Sequence, residues 1–153
     1  MKRLTTGTYI LVADGKKALV AKNIGTAFEP KLEVLRAEQQ DNPANRAQGR
    51  DAPGRMPDGG QGQRSAMEAT DWHQLAEDEF AATMARRLAD MARKGDFDRL
   101  IVVAPPKALA ALRGAMDDTL RPLVVAEIDK DLTGMALDKI TARIMAALDE
   151  MNG

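Results

Sequence analysis

The chain has 153 residues, of which 44% are hydrophobic and 29% charged, and its net charge is −1. This length and composition predict one globular domain with a substantial core, and the near-neutral charge argues against a protein that coats DNA. The absence of cysteine excludes disulfides, thiol catalysis and thiolate metal sites. The apolar run near the start is too short for a signal-peptide core, and no stretch approaches a membrane span, so we expect a cytoplasmic protein without membrane contact.

The first forty residues predict three strands in an antiparallel meander. Tyr9–Ala13 is a continuous apolar run, which indicates a strand covered on both faces. Asp14 and Gly15 follow as a predicted two-residue hairpin turn, after which Lys17–Lys22 returns as the second strand. Lys31–Arg36 alternates charged and apolar residues, which is typical of a half-exposed strand near a sheet edge.

The segment Gln40–Thr70 differs from the rest of the chain. Between Leu35 and Trp72 there is no Val, Ile, Leu, Phe, Tyr or Trp, so burial cannot offset the entropy of ordering this backbone. We therefore expect a long mobile loop, of the kind that is usually functional or disordered. Its cations are all arginines, whose guanidinium groups suit phosphate recognition: Arg46, Arg50, Arg55 and Arg64. No aromatic residue lies in the segment, so it offers no platform for base stacking.

The second half of the chain alternates helices with strands. A helix is predicted to begin at Thr70 or Asp71, to bury Trp72 on its inner face and to stop at Gly95. The remaining elements are a strand, a helix, a strand and a helix: Leu100–Ala104, a helix opened by Pro105 and Pro106, Leu123–Ile128, and a helix capped by Thr133.

The element order βββαβαβα, with right-handed crossovers in its second half, predicts an α/β fold. We expect a five-stranded mixed sheet in the order 3-2-1-4-5 with helices packed on it, which is the ribonuclease H-like layout. The whole chain, residues 1–153, is expected to be a single domain with the mobile loop at 40–70.

Several stretches resemble the bacterial host attachment proteins. The resemblance covers most of the chain and is carried by Arg50–Arg55, by the helix start Asp71-Trp72-His73, by Phe97–Pro106 with Leu109, Leu112 and Arg113, and by Val125–Thr133. It implies a fold similar to the middle domain of the archaeal and eukaryotic class-1 translation release factor. It also implies that Asp129, Lys130 and Asp131 are functional, although a polar turn explains them equally well.

In that release-factor domain a glycine-glycine-glutamine loop lies between the third strand and the first helix. Gly59, Gly60 and Gln61 stand at the same position here. The resemblance implies that Gln61 places the water at the ester carbonyl during peptidyl-tRNA hydrolysis and that its backbone amide can donate to the oxyanion. Glycines permit a close approach to RNA. The alternative is a chance tripeptide in a Gly-rich and Gln-rich loop.

Other chemistries have weaker support. Two-metal nuclease chemistry requires carboxylates from the first and fourth strands, but Asp14 ends the first strand whereas Asp98 precedes the fourth. Ser65 and His73 are the only serine and the only histidine, and nothing in the sequence places them together as part of a triad. A lone histidine is also weak evidence for a metal, so we expect neither a metal nor a cofactor.

We therefore expect a non-enzymatic module that binds RNA or the ribosome through the 40–70 loop, with Arg46, Arg50, Arg55 and Arg64 as the phosphate-binding residues. The enzymatic alternative is a peptidyl-tRNA ester hydrolase that uses Gln61 with Gly59 and Gly60. A third alternative is an adaptor whose loop folds on a protein partner. The ribosome and tRNA are the expected partners, and the sequence leaves a homo-oligomer open.

Overall fold

In a computed structural model of the protein, the backbone is described for residues 2–40 and 62–153 and the side chains for residues 2–40 and 72–153. Five strands form one mixed sheet in the order β3-β2-β1-β4-β5. These strands are β1 (Tyr9–Ala13), β2 (Lys17–Asn23), β3 (Leu32–Gln39), β4 (Leu100–Ala104) and β5 (Val124–Asp129). The predicted α/β class and strand order are therefore confirmed.

The two continuous apolar runs form the centre of the sheet. β1 and β4 pair in parallel, with Tyr9 opposite Leu100 and Val12 opposite Val103. Every residue of both strands is buried. β2 flanks them antiparallel on one side, and β5 lies parallel to β4 on the other. An edge position could not cover both faces of such strands, so their composition fixes their central place.

Three helices in the described part of the chain cover the two faces of this sheet: α1 (Gly62–Arg93), α2 (Pro106–Ala115) and α3 (Leu137–Asn152). α1 and α2 pack on the face that carries Leu11 and Val102. α3 packs on the opposite face, against Ile10, Val12 and Val103. Alternate residues of the central strands thus point into two separate apolar cores, as the period of a strand requires.

Two helix starts predicted from the sequence are wrong. α1 begins at Gly62 rather than at Thr70 or Asp71, so the segment expected to be a loop over 40–70 overlaps the helix from residue 62 onward. The prediction of a loop relied on the lack of large apolar side chains. Gln, Arg, Ala, Met and Glu, which are common after Gly62, nevertheless have a high intrinsic helix propensity that does not depend on burial. Thr133 does not cap α3, which begins at Leu137 with Ala136 before it.

The end of α1 agrees with the prediction of a glycine stop. Gly95 has φ of 84°, a left-handed conformation that favours glycine. Its amide donates to the Ala92 carbonyl at 3.0 Å, and the Asp96 amide donates to the Met91 carbonyl at 3.0 Å. This pair of bonds is the Schellman arrangement, which satisfies carbonyls at the end of a helix.

The connection after α2 is fixed by a carboxylate. Asp117 accepts hydrogen bonds from the amides of Thr119 and Leu120, both at 3.0 Å, and its other oxygen lies 2.6 Å from a guanidinium nitrogen of Arg93 on α1. The Leu120 amide is the largest of several influences that lower the pKa of the Asp117 carboxyl, and the Arg93 charge also lowers it. The ionised carboxylate therefore links α1 to the segment that leads into β5.

For orientation, the sheet has two ends. The end where β1, β4 and β5 finish is called the loop end, because β3 also finishes there and leads into residues 41–61. The end where β1, β4 and β5 begin is called the turn end, because the turn from Ile24 to Lys31 joins β2 to β3 there. At the turn end Tyr9 stacks on Phe97 with ring centroids 4.5 Å apart. Burial, and secondarily the Asp96 charge, raises the pKa of Tyr9.

Candidate nucleic-acid interface

Most of the residues predicted to bind phosphate or to act in hydrolysis lie outside the described residues. These are Arg46, Arg50, Arg55, Gly59, Gly60 and Gln61. Arg64 lies in the first turn of α1, where only the backbone is described. The candidate interface is therefore defined by the two elements from which the segment departs and to which it returns.

The first anchor of the segment is Gln40, directly after β3. Its amide donates to the Lys16 carbonyl at 2.6 Å, and its side-chain nitrogen Nε2 donates to the Gly15 carbonyl at 3.1 Å. Both acceptors belong to the turn between β1 and β2. The exit from β3 is thus tied to the loop end of the sheet by two hydrogen bonds.

The β1–β2 turn itself differs from the predicted two-residue hairpin on Asp14 and Gly15. The amide of Asp14 donates to the Lys17 carbonyl at 2.9 Å, so Gly15 and Lys16 are the central residues. The Oδ1 atom of Asp14 accepts from the amides of Lys16 and Lys17 at 2.7 and 2.8 Å. An aspartate that bonds to backbone amides two and three residues later rigidifies a turn. Gln40 is therefore hydrogen-bonded to a turn that is itself held by side-chain hydrogen bonds.

The second anchor is α1, which passes against the same turn. An ideal Cβ built on Gly15 would lie 2.7 Å from Cδ of Glu77, so the helix side chain occupies the space that only a glycine leaves. The core-facing part of the helix starts at Phe80. The helix begins at Gly62, and eighteen residues at about 1.5 Å rise each correspond to roughly 27 Å. Gln40 and the part of α1 around Glu77 therefore lie at the loop end of the sheet, and the helix extends beyond this contact towards Gly62.

Exposed lysines gather at this end, and only one of them, Lys130, is indicated by the sequence resemblance. Lys16 and Lys17 lie in and after the β1–β2 turn, Lys107 opens α2 just after β4, and Lys130 directly follows β5. They come from three distant parts of the sequence, and only the parallel arrangement of β1, β4 and β5 brings them to one edge. A strand-end rule applied to the predicted topology would have found them, because parallel strands finish at the same edge of a sheet.

Acidic side chains share the loop end with these lysines. The hydroxyl of Thr133 lies 3.1 Å from Oδ2 of Asp14 and 2.9 Å from Oδ1 of Asp131, and its single hydrogen serves one carboxylate at a time. The contact joins the segment after β5 to the β1–β2 turn. Within residues 2–40 and 72–153 no group of three or more histidines or carboxylates is arranged to hold a metal ion. The Thr133 hydroxyl thus lies within hydrogen-bond distance of a carboxylate on each side of this contact.

The nuclease alternative is not favoured by the geometry of the sheet. Asp14 lies at the loop end, immediately after β1. Asp98 precedes β4, and β4 runs parallel to β1 with Leu100 opposite Tyr9, so Asp98 lies at the turn end. The two carboxylates are separated by the full length of the central strands, whereas two-metal hydrolysis needs them around one site.

A cleft of about 320 Å³ lies between α1 and the end of β3. Trp72 and Leu75 line it and are 41% and 55% exposed, which is contrary to the prediction that Trp72 is buried on the inner face of the helix. Trp72 lies eight residues before Phe80, where the burial of α1 against the core begins. Farther along the helix, Arg87 reaches Glu38 on β3 at 3.1 Å, and Glu38 also accepts from Arg36. This cleft includes Gln40, after which the arginine-rich segment begins, and Trp72 gives it an exposed aromatic side chain.

Comparison with known proteins places the chain among release-factor-like proteins. The family model described as bacterial archaeo-eukaryotic release factor family 12 matches residues 7–144. No curated protein matches the chain. Among solved structures, the crystal structure of the archaeal translation termination factor aRF1 is similar, with 16% sequence identity and a TM-score of 0.47. The match covers 81% of this chain and 30% of the archaeal factor, so the chain spans less than a third of that protein.

None of the helices in the described ranges, residues 2–40 and 62–153, combines the length and the apolar character needed to cross a bilayer.

Proposed function

The chain belongs to bacterial archaeo-eukaryotic release factor family 12, and we propose that it is a non-enzymatic, cytoplasmic binding module for RNA or the ribosome. It acts through the segment Gln40–Thr70, whose end forms the first turns of α1. Arg46, Arg50, Arg55 and Arg64 contact phosphates, with the ribosome or tRNA as partner.

The observation that supports this proposal most is the position of the exposed lysines. Lys16, Lys17, Lys107 and Lys130 lie at the loop end of the sheet, where Gln40 and α1 anchor the arginine-rich segment. In this proposal the arginines of the segment and these lysines contact the same nucleic acid. A surface of this kind binds a phosphate backbone through many separate charge contacts.

The neighbouring carboxylates reduce the net positive charge of this surface. Asp14 and Asp131 share the Thr133 hydroxyl, and Asp129 is exposed at the end of β5. The body alone therefore offers mixed charge, and most of the affinity comes from the arginines. This division of roles predicts that removing the arginines has a larger effect than removing the lysines.

The test is sedimentation of the full chain with purified bacterial ribosomes over a range of salt concentrations. Since each phosphate contact releases condensed counterion, replacing Arg46, Arg50, Arg55 and Arg64 by Ala should reduce the slope of log affinity against log salt by about 3. A matched control replaces Lys31, Arg86, Lys94 and Arg143, which are exposed cations of the helices, the β2–β3 turn and the turn after α1. It changes the net charge equally and should leave most of the binding in place.

Two results would overturn the proposal. One is binding that ignores both salt and the four-arginine change, which would instead favour an adaptor that recognises a protein partner. The other is an equal loss in the matched control, which would mean that net charge and not the segment governs binding. The melting temperature should stay the same in the control and in the wild type, because its four side chains are exposed.

A second candidate function is peptidyl-tRNA hydrolysis by the same segment. The observation that favours it is that Gly59, Gly60 and Gln61 directly precede α1 in a chain that belongs to a release-factor family. Gln61→Ala separates the two functions. It should leave ribosome binding nearly intact, because one neutral side chain contributes little beside four cations, and it should abolish any release of peptide from ribosome-bound peptidyl-tRNA. Peptide release that is equal with and without Gln61 would reject this candidate.

The resemblance to host attachment proteins implies some part in attachment. A protein that binds RNA in the cytoplasm influences attachment indirectly, through the synthesis of other proteins. Protease digestion of intact cells tests this placement: the protein should be protected. Cleavage of the protein at the surface of intact cells would contradict it.

A further inference from the structure

The turn between β2 and β3 is held by one buried asparagine. Asn23 is 0% exposed, and its side chain bonds only to backbone atoms. Its Oδ1 accepts from the amides of Gly25 and Lys31, both at 2.9 Å. Its Nδ2 lies near three carbonyl oxygens, those of Leu4 at 2.9 Å, Thr5 at 3.2 Å and Thr26 at 3.3 Å. One side chain thus joins both arms of the turn to the N-terminal segment.

The tip of the turn is closed by further hydrogen bonds. The Oγ1 atom of Thr26 accepts from the amides of Phe28 and Glu29 at 3.2 and 2.9 Å, and the Thr26 amide donates to the Glu29 carbonyl. An ideal Cβ on Gly25 would lie 2.3 Å from the same Glu29 carbonyl oxygen, so the two arms of the turn are in close contact. The backbone that carries Phe28 is therefore ordered before any partner binds.

Phe28 projects from this rigid turn and is 84% exposed, more than any other large hydrophobic residue that the structure describes. A large exposed aromatic ring on an ordered backbone binds with little loss of conformational entropy, because only its two side-chain torsions become fixed. Surface apolar residues scattered singly are common, but this one also forms a wall of a groove. The ring thus has the properties of a binding anchor.

The groove beside Phe28 has a volume of about 350 Å³ and is here called the Phe28 groove. Its floor and walls include Leu4 and Leu148, and its rim carries Lys2, Arg3 and Asp149. The N-terminal segment is tied to α3 across this groove by reciprocal bonds of 2.9 and 2.7 Å between the Lys2 backbone and the Asn152 side chain. It is therefore an apolar slot with two cations and one carboxylate at its mouth.

We propose that the Phe28 groove binds an unpaired nucleobase of RNA, stacked on the Phe28 ring, with the adjoining phosphates on Lys2 and Arg3. The inference rests on the proposed function, since it takes RNA as the partner. The arginine-rich segment supplies cations but no aromatic ring, and Phe28, at 84%, is more exposed than Trp72, at 41%. Phe28 and the loop end lie at opposite ends of the sheet, so the two contacts engage separate parts of one RNA.

Asp149 gives the proposal a distinctive consequence. Its carboxylate lies on the rim of the groove together with the two cations, where it repels the phosphates of a bound strand. Asp149→Asn should therefore strengthen RNA binding, although it removes no steric obstacle. A protein partner with a basic contact surface would show the reverse, because it would lose an attractive charge.

The test is fluorescence anisotropy of a short labelled oligoadenylate with the full chain, alongside an abasic oligomer of the same length. Because stacking of a base on an aromatic side chain contributes about 1–3 kcal/mol, Phe28→Ala should weaken oligoadenylate binding about 5-fold to about 150-fold. The abasic oligomer keeps the phosphates but offers no base, so its affinity should not change. Phe28→Trp should retain binding, and Phe28→Leu should behave like Phe28→Ala because leucine has no aromatic face.

The matched control is Val34→Ala, an exposed apolar truncation on β3 outside the groove, which should bind like the wild type. Equal binding by Phe28→Ala and wild type would overturn this inference and leave the proposed function standing. Full binding by Phe28→Leu would also overturn it, since simple apolar contact would then suffice. A wild-type chain that binds neither the oligomers nor ribosomes would overturn both proposals together.

Discussion

Replacing Asn23 by alanine should destabilise the protein more than any other single polar substitution that the structure suggests. The side chain is completely buried, and its amide group can donate two hydrogen bonds while its oxygen accepts two. Removing it breaks about four hydrogen bonds at about 1 kcal/mol each, which gives a loss of about 4 kcal/mol. That is a large fraction of the 5–15 kcal/mol that typically stabilises a domain.

The assay is urea unfolding followed by circular dichroism, with thermal unfolding as a second measure. For a chain of this size, about 4 kcal/mol corresponds to a fall in melting temperature of roughly 8–16 °C. Asn152→Ala is the matched control, because Asn152 also makes two bonds to the backbone but is exposed at the end of α3. It should cost less than about 1 kcal/mol, since water replaces the lost partners.

Asn23→Asp provides the sharper comparison. Aspartate keeps the acceptor for the amides of Gly25 and Lys31 but brings a negative charge towards the carbonyls of Leu4 and Thr5. The substituted carboxyl should be protonated more easily in the folded state than in the unfolded state, so its pKa should be raised on folding. The destabilisation should accordingly shrink as the pH falls. An Asn23→Ala protein within about 1 kcal/mol of the wild type would refute the reasoning, because four buried bonds cannot be lost at so small a cost.

Further perturbations test the core, the turns and one titrating group. Val102→Asp should prevent folding, because it places a charge in the centre of the sheet at a site that is 0% exposed. A soluble Val102→Asp protein with a cooperative melting transition would contradict this. Gly25→Ala should lower the free energy of unfolding in urea by about 2 kcal/mol or more, because the new Cβ would meet the backbone carbonyl of Glu29. Gly15→Ala should lower it by less, because the new Cβ would meet only the flexible side chain of Glu77. Equal losses would be inconsistent with these two contacts. Since backbone hydrogen bonding lowers the pKa of Asp117 in the folded state, its ionised form stabilises the protein above the pKa of the unfolded state and this contribution is lost as the pH falls through the folded pKa. Asp117→Asn should therefore reduce stability at neutral pH and converge with the wild type in acid, and a constant difference across pH would argue against that assignment.

Several features of the fold follow directly from local sequence. The uninterrupted apolar runs Tyr9–Ala13 and Leu100–Ala104 require cover on both faces, and this alone places them at the centre of the sheet. Gly95 ends α1 because a left-handed residue is needed to close the last turn of a helix. The strand order 3-2-1-4-5 follows from an antiparallel meander joined to right-handed crossovers.

Other features depended on contacts that the sequence does not display. The length of α1 was underestimated, because the prediction relied on large apolar side chains and residues 62–69 include no Val, Ile, Leu, Phe, Tyr or Trp. Thr133 looked like a helix cap, yet its hydroxyl contacts Asp14, 119 residues away in the chain. Trp72 has the spacing of a core residue, but it lies before Phe80, where the burial of the helix begins.

By itself the sequence determined the secondary structure of the central strands, the class of the fold and the place of an arginine-rich segment between β3 and α1, because these depend on apolar periodicity and composition over short windows. Only the tertiary structure decided which distant side chains meet. It brought Lys16, Lys107 and Lys130 to one end of the sheet. At the other end it buried Asn23, which holds the turn that carries the exposed Phe28. The reason is physical: a strand shows from its own sequence that it is covered, but the neighbours of its ends depend on the direction and order in which all five strands pair.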